Sequence, residues 1–83
     1  MPRPDAASIA VATNAANEVA VAAFMAGRLS FGGIAALVAT AMEAASARGI
    51  MREPASVEEA VAVDHSTRLL TLGLLPEIAA KAS

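Results

Sequence analysis

The sequence predicts an all-α fold: a small helical bundle of three main helices plus a short C-terminal helix. Three observations carry that prediction. Alanine, the strongest helix former, dominates a chain that is 57% hydrophobic. No stretch alternates apolar and polar residues, and no Asn-Gly or Asp-Gly pair offers a hairpin turn. Helix punctuation instead recurs at helix-length intervals, at Gly27, Gly49, Pro54, Gly73 and Pro76.

The first helix is expected from Ser8 or Thr13 to Ala26, ended by Gly27 as a left-handed cap. Val21, Phe24 and Met25 give it bulk. Ala16, Ala20, Ala23 and Gly27 recur at helical spacing and permit another helix to come close. Ser30 can cap the second helix, whose Phe31, Ile34, Leu37, Val38, Ala41, Met42 and Ala45 fall on one face. Gly32 and Gly33 weaken its first turn, and Gly49 closes it. Ile50 to Ala55 form a connector, because Pro54 disfavours helical geometry at Glu53.

Ser56 and Glu59 form an S-x-x-E capping box, in which the serine accepts from the Glu59 amide and the glutamate reaches back to the Ser56 amide. The third helix then carries Val57, Val61, Leu69 and Leu72 on one side, with Ala60, Val63 and Leu70 beside it. Gly73 and Pro76 are expected to break it, leaving a short closing helix through Lys81. Residues 1–8 read as a loose N-terminal segment and residues 9–83 as one helical domain.

Composition narrows the function classes. With only Phe24 and Phe31 as aromatics and much of the apolar fraction in alanine, the core buries little area, so the domain is expected to lean on a partner surface. A net charge of −2 with six scattered basic residues, from Arg3 to Lys81, argues against nucleic acid. The absence of cysteine removes disulfide, thiol and thiolate-metal chemistry and suits a cytoplasmic location. The longest charge-free run, Leu29 to Met42, falls short of the ~20 residues that span a bilayer, so no membrane role is expected. Arg3 before an Ala-rich stretch resembles a targeting segment, but Asp5, Asn14, Asn17 and Glu18 interrupt it.

The most unusual polar group is Asn14, Asn17 and Glu18, one ridge of a helix bearing two amides and a carboxylate. It can cap and tie down neighbouring backbone or hydrogen-bond an adjoining domain, and uncharged amides do no acid–base chemistry. Asp64 and His65 point about 100° apart on a helix, so their adjacency makes no relay. His65 is the single histidine, with no second ligand one turn away. Glu58, Glu59 and Asp64 suit the helix dipole, and Met25, Met42 and Met51 read as fillers of core gaps. Gly32-Gly33 follows no strand and has no nearby lysine, so it makes no phosphate loop. The residues offer no catalytic, cofactor-binding or metal-binding site.

Three blocks nevertheless resemble a known family. Thr13 to Phe24, containing Asn14-Ala15-Ala16-Asn17-Glu18, is similar to the Leu-Asn-Ala-Ala-Asn-Glu segment of the C-terminal domain of 1-deoxy-D-xylulose 5-phosphate reductoisomerases. Arg28 to Phe31 with Ile34 to Leu37 resembles that domain's next helix. Met51 to Pro54, Ser56 to Glu59 and Val63-Asp64 follow in order and spacing, so the similarity runs from Ile9 to Arg68. The resemblance implies a parent enzyme of non-mevalonate isoprenoid biosynthesis that rearranges and reduces its substrate to 2-C-methyl-D-erythritol 4-phosphate, using NADPH and a divalent metal (Mg or Mn). Other domains of that enzyme hold the cofactor and the metal, and the helices resembled here support the catalytic domain.

Departures from the pattern are Thr13 for the usual leucine, Gly32-Gly33 in place of a better helix start, and only Met1 to Ser8 where a further helix usually stands. The end, Leu69 to Pro76, is more apolar than the family's charged final helix. The implied role is therefore a non-catalytic domain, inactive alone, whose partner is the catalytic domain. The rival reading is a freestanding interaction or self-association module.

Overall fold

The computed structural model describes residues 5–52 and 54–82 of the 83-residue chain. Among them are three helices, α1 (Ala6–Met25), α2 (Phe31–Ala47) and α3 (Val57–Ala82), and no strand. Each helix packs against both others in a body of 39 × 22 × 17 Å.

α1 begins earlier than expected because Asp5 is its cap. The Asp5 carboxylate accepts from the amides of Ala7 (3.0 Å) and Ser8 (3.3 Å), two donors that the first turn leaves without intrahelical partners. The hydroxyls of Ser8 and Thr13, the two expected starts of the helix, bond elsewhere. Ser8 is buried and donates to the Arg52 carbonyl oxygen at 2.7 Å, while Thr13 donates to the Ile9 carbonyl oxygen at 2.7 Å. Residues 6–8, expected in the loose segment, thus belong to α1. Residues 1–4 lie outside the described residues, as does the expected non-helical geometry at Glu53.

Both glycine caps form as read. Gly27 (φ 74°) and Gly49 (φ 70°) take the left-handed conformation that a side chain would strain. In each turn the glycine amide and the next amide satisfy the last carbonyls: Gly27 to Phe24 (3.0 Å) and Arg28 to Ala23 (2.8 Å), then Gly49 to Ser46 (3.1 Å) and Ile50 to Ala45 (3.0 Å). Ser30 caps α2 by accepting from the Gly33 amide at 3.1 Å.

The closing segment differs from expectation. α3 continues through Gly73 and Pro76 to Ala82, and no separate fourth helix forms. Proline in a helix interior removes one hydrogen bond and crowds the carbonyl four residues back. Here Leu75 and Ile78, 2% and 8% exposed, lie on either side of Pro76 in the core, and their burial holds the helix across the fault.

Alanine forms the seams between helices. Ala12, Ala15, Ala16, Ala20, Ala41 and Ala45 are fully buried. One cluster gathers Ala20, Ala23, Leu29, Leu37, Leu75 and Ile78; the other gathers Ala12, Ala45, Met51, Val63 and Leu70, and Leu74 packs against both. Met51 and Met42 pack as expected, but Met25 is 77% exposed. Phe31, expected on the packed face of α2, is also 77% exposed and meets Phe24 edge to face, with ring centroids 5.8 Å apart. At the first position of α2 it projects beyond the bundle, and the other ring is its contact. The Val57, Val61, Leu69 and Leu72 side of α3 faces outward, whereas Val63 and Leu70 are buried.

By length and composition alone, α1 is the one described helix able to cross a bilayer. Its small-residue face is occupied by contacts with α2 and α3.

Candidate functional site

The polar residues converge on the outer side of the α1–α3 junction. Asn14 and Glu18, one turn apart on α1, are joined by an Asn14 Nδ2 to Glu18 Oε2 hydrogen bond of 2.7 Å. From α3, Arg68 Nη2 reaches the same Glu18 oxygen at 3.0 Å. Arg68 Nε also donates to Asp64 Oδ1 at 2.6 Å, one turn back on its own helix. A single guanidinium thus links two carboxylates and an amide across two helices. Its fork matches carboxylate geometry, and the bonds to Asp64 and then Glu18 raise its proton affinity above the ordinary arginine value.

Sequence reading found Asn14 and Glu18 and missed Arg68, because fifty residues separate it from Glu18. The signal that could have found it is the Asp64–Arg68 spacing of four on α3. Asn17 is exposed and stands apart from this network. His65 is likewise exposed, and its helical angle sets it about 100° from Asp64.

Beside the network a groove of about 380 Å³ runs between α1 and α3, floored by Val19, Ala23 and Leu75 and edged by Glu18, Arg28 and Arg68. A smaller cleft, about 160 Å³, lies between the connector and α3 near Arg52, Pro54 and Glu59.

The capping box forms with one change of partner. Ser56 Oγ accepts from the Glu59 amide at 3.2 Å, but the Glu59 carboxylate accepts from the Ala55 amide rather than that of Ser56. It therefore clamps the last connector residue onto α3.

The described residues gather no divalent-metal set, and Gly32-Gly33 makes no phosphate cradle. Among the described residues no three His, Cys, Asp or Glu side chains gather, and Glu18 and Asp64 already share the Arg68 cation. The Gly33 amide is engaged by Ser30, and Leu29 fills the space against its Cα, so Gly32-Gly33 leaves no cradle for a phosphate.

Comparison with known proteins agrees with the resemblance in the sequence. The family model described as the DXP reductoisomerase C-terminal domain matches residues 4–70, slightly wider than the stretch from Ile9 to Arg68. A 1-deoxy-D-xylulose 5-phosphate reductoisomerase of Afipia carboxidovorans is 56% identical over 70 residues, which is 84% of this chain and 17% of that protein. Enzymes of the same name from Bradyrhizobium sp. strain BTAi1 and Rhodopseudomonas palustris strain BisB18 are each 53% identical over the same shares. No solved structure matches. The chain spans about a sixth of the length of the curated relatives it matches. With most of its helical residues inside the matched stretch, the chain belongs to the DXP reductoisomerase C-terminal domain family.

Proposed function

We propose that this chain is a non-catalytic helical domain that serves the reductoisomerase reaction by supporting a catalytic domain, and that it is inactive alone. The observation that carries the reading is the match of 84% of the chain to 17% of enzymes bearing that name. The Asn14–Glu18–Arg68–Asp64 network supports it, because these groups are committed to one another and brace α1 against α3. In this reading NADPH and a divalent metal (Mg or Mn) are held by other domains. Among the described residues no metal-ligand set gathers and Gly32-Gly33 leaves no phosphate cradle, and no step of the reaction is assigned to this chain. The setting is the cytoplasm, on the non-mevalonate route to isoprenoid precursors, with the catalytic domain as partner and neither nucleic acid nor membrane involved.

The test is turnover. The purified chain with NADPH, Mn²⁺ and 1-deoxy-D-xylulose 5-phosphate is expected to leave NADPH absorbance unchanged. Added to a related reductoisomerase from which the matching helices have been removed, it is expected to restore stability or turnover. NADPH oxidation by the chain alone would sink the reading.

One observation favours a second reading, a freestanding interaction module. Val57, Val61, Leu69 and Leu72 on α3 are 50–78% exposed, a row of large apolar side chains that suits a partner surface.

A further inference from the structure

We propose that residues 74–82 form a hinged cover. About Gly73 this end of α3 swings off the bundle as one unit while the rest stays folded, and on closing it seals part of the core. The proposal concerns the motion of the chain itself, so it stands or falls apart from the supporting role above.

Three features weaken α3 between Thr71 and Pro76. The buried Thr71 hydroxyl donates to the Thr67 carbonyl oxygen at 2.6 Å, and Thr67 does the same to Val63 at 2.7 Å. Such back-bonding competes with the helix ladder and bends it. Gly73 has no Cβ and lies in open space, so its backbone leaves the helical geometry at little cost. Pro76 has no amide for the Leu72 carbonyl, and its ring disfavours helical geometry at Leu75.

Beyond that fault the hold is small. Of the described side chains from 74 to 81, only Leu75 and Ile78 are buried. They join Ala20, Ala23, Leu29 and Leu37 in one cluster. A proline inside a helix costs about what burial of one such side chain returns, so the surplus holding the segment is roughly one aliphatic residue. The ion pair that ties α3 to α1, Arg68 to Glu18, lies before the fault. Lys81 pairs with Glu77 inside the segment and moves with it. Leu75 also borders the open groove between α1 and α3.

The family match ends at residue 70, three residues before the hinge. The cover thus lies outside the matched stretch, whereas Ala20, Ala23, Leu29 and Leu37 beneath it lie inside. Opening bares that strip of α1 and α2 without unfolding either helix, and closing withdraws it.

Residue-resolved hydrogen exchange of the full chain by NMR, in rising sub-denaturing urea, is the experiment. The amides of Leu75, Glu77 and Ile78 are expected to exchange as a group, at least about tenfold faster than those from Val63 to Leu70. Their rates should depend little on urea, because the opening exposes little surface. Pro76→Ala is expected to slow them by up to about a hundredfold, the equivalent of proline's cost in a helix. Val63→Ala, in the other core cluster, is expected to speed exchange from 63 to 70 and leave these three amides unchanged. Equal protection from Val63 to Ile78 overturns the proposal, as does a Val63→Ala variant in which all these amides shift alike. Leu75 as protected as Leu70, with only the last turn fast, is end fraying and overturns it too. So does exchange of Pro76→Ala at the wild-type rate.

Discussion

Leu29 lies so close to Gly33 that a Cβ on the glycine would fall 2.6 Å from Leu29 Cδ1 and 2.9 Å from Leu29 Cγ. Carbon atoms prefer ~3.5–4.0 Å, and Leu29 is buried in the core, so it has little room to turn aside. Overpacking of this kind costs about 1–3 kcal/mol, against a helix-propensity gain of up to about 1 kcal/mol on replacing glycine. Gly33→Ala is therefore expected to lower stability by about 1 kcal/mol in urea unfolding. Gly32, with nothing within 4 Å of its own notional Cβ, gives the opposite sign. Gly32→Ala is expected to raise stability by about 0.5 kcal/mol. Equal effects at the two positions would refute the close contact.

Leu37 is the largest fully buried side chain. Leu37→Ala removes three carbons from the cluster it shares with Ala20, Ala23, Leu29, Leu75 and Ile78, an expected loss of about 2–5 kcal/mol. A domain of this size has a total margin of about 4–12 kcal/mol at the usual value per residue, so the variant should melt far below the parent. Phe31→Ala provides the contrast. It gives up mainly its edge contact with Phe24, about 0.5–1.5 kcal/mol. Calorimetry of both variants decides whether the aliphatic or the aromatic side chain holds the bundle.

At the start of α3, Ser56→Ala leaves the Glu59 amide without its capping oxygen, an expected loss of about 1 kcal/mol. Glu59→Ala frees the Ala55 amide and should speed hydrogen exchange in the connector more than in the helix interior. Uniform exchange across α3 in that variant would count against a local clamp.

Arg68→Met should weaken the α1–α3 brace only modestly, because the guanidinium is about one-third exposed and solvent screens its pairs. The effect should shrink further in high salt. Its pH dependence follows from the sign of the shift. Asp64 and Glu18 raise the folded-state proton affinity of Arg68, so its contribution is complete below the unfolded arginine value. It fades only as pH climbs through the folded value, in strong alkali. Comparing wild type with Arg68→Met from neutral to mildly alkaline pH should thus show a constant difference; a difference that falls in that range would exclude the pairing.

Local chemistry was the legible part. Gly27 could be read as a left-handed cap because only glycine takes that geometry at little cost, Gly49 as a helix end, Ser30 as an N-cap, and Ser56 as an N-cap from its spacing to Glu59. The alanine seam of α1 was legible from helical spacing alone. Long-range choices were not. The start of α1, at Ala6 behind Asp5 rather than at Ser8 or Thr13, leaves Ser8 inside the helix, where it donates to the Arg52 carbonyl of the connector. Pro76 would break an isolated helix, and burial of Leu75 and Ile78 on either side overrides it. For the polar network, sequence supplied Asn14 and Glu18, while Arg68 joined them only once α1 and α3 were packed side by side.

The fully buried alanines of α1 and α2 leave this domain little latitude at its helix contacts. A methyl group can lose only itself, and any bulkier replacement must wedge two backbones apart. Natural variation at Ala12, Ala16, Ala20, Ala41 and Ala45 should therefore be confined to glycine and serine, and drift should concentrate on the outer faces. A bundle built this way keeps its axes at fixed separation, as a ruler does, even while its surface sequence changes.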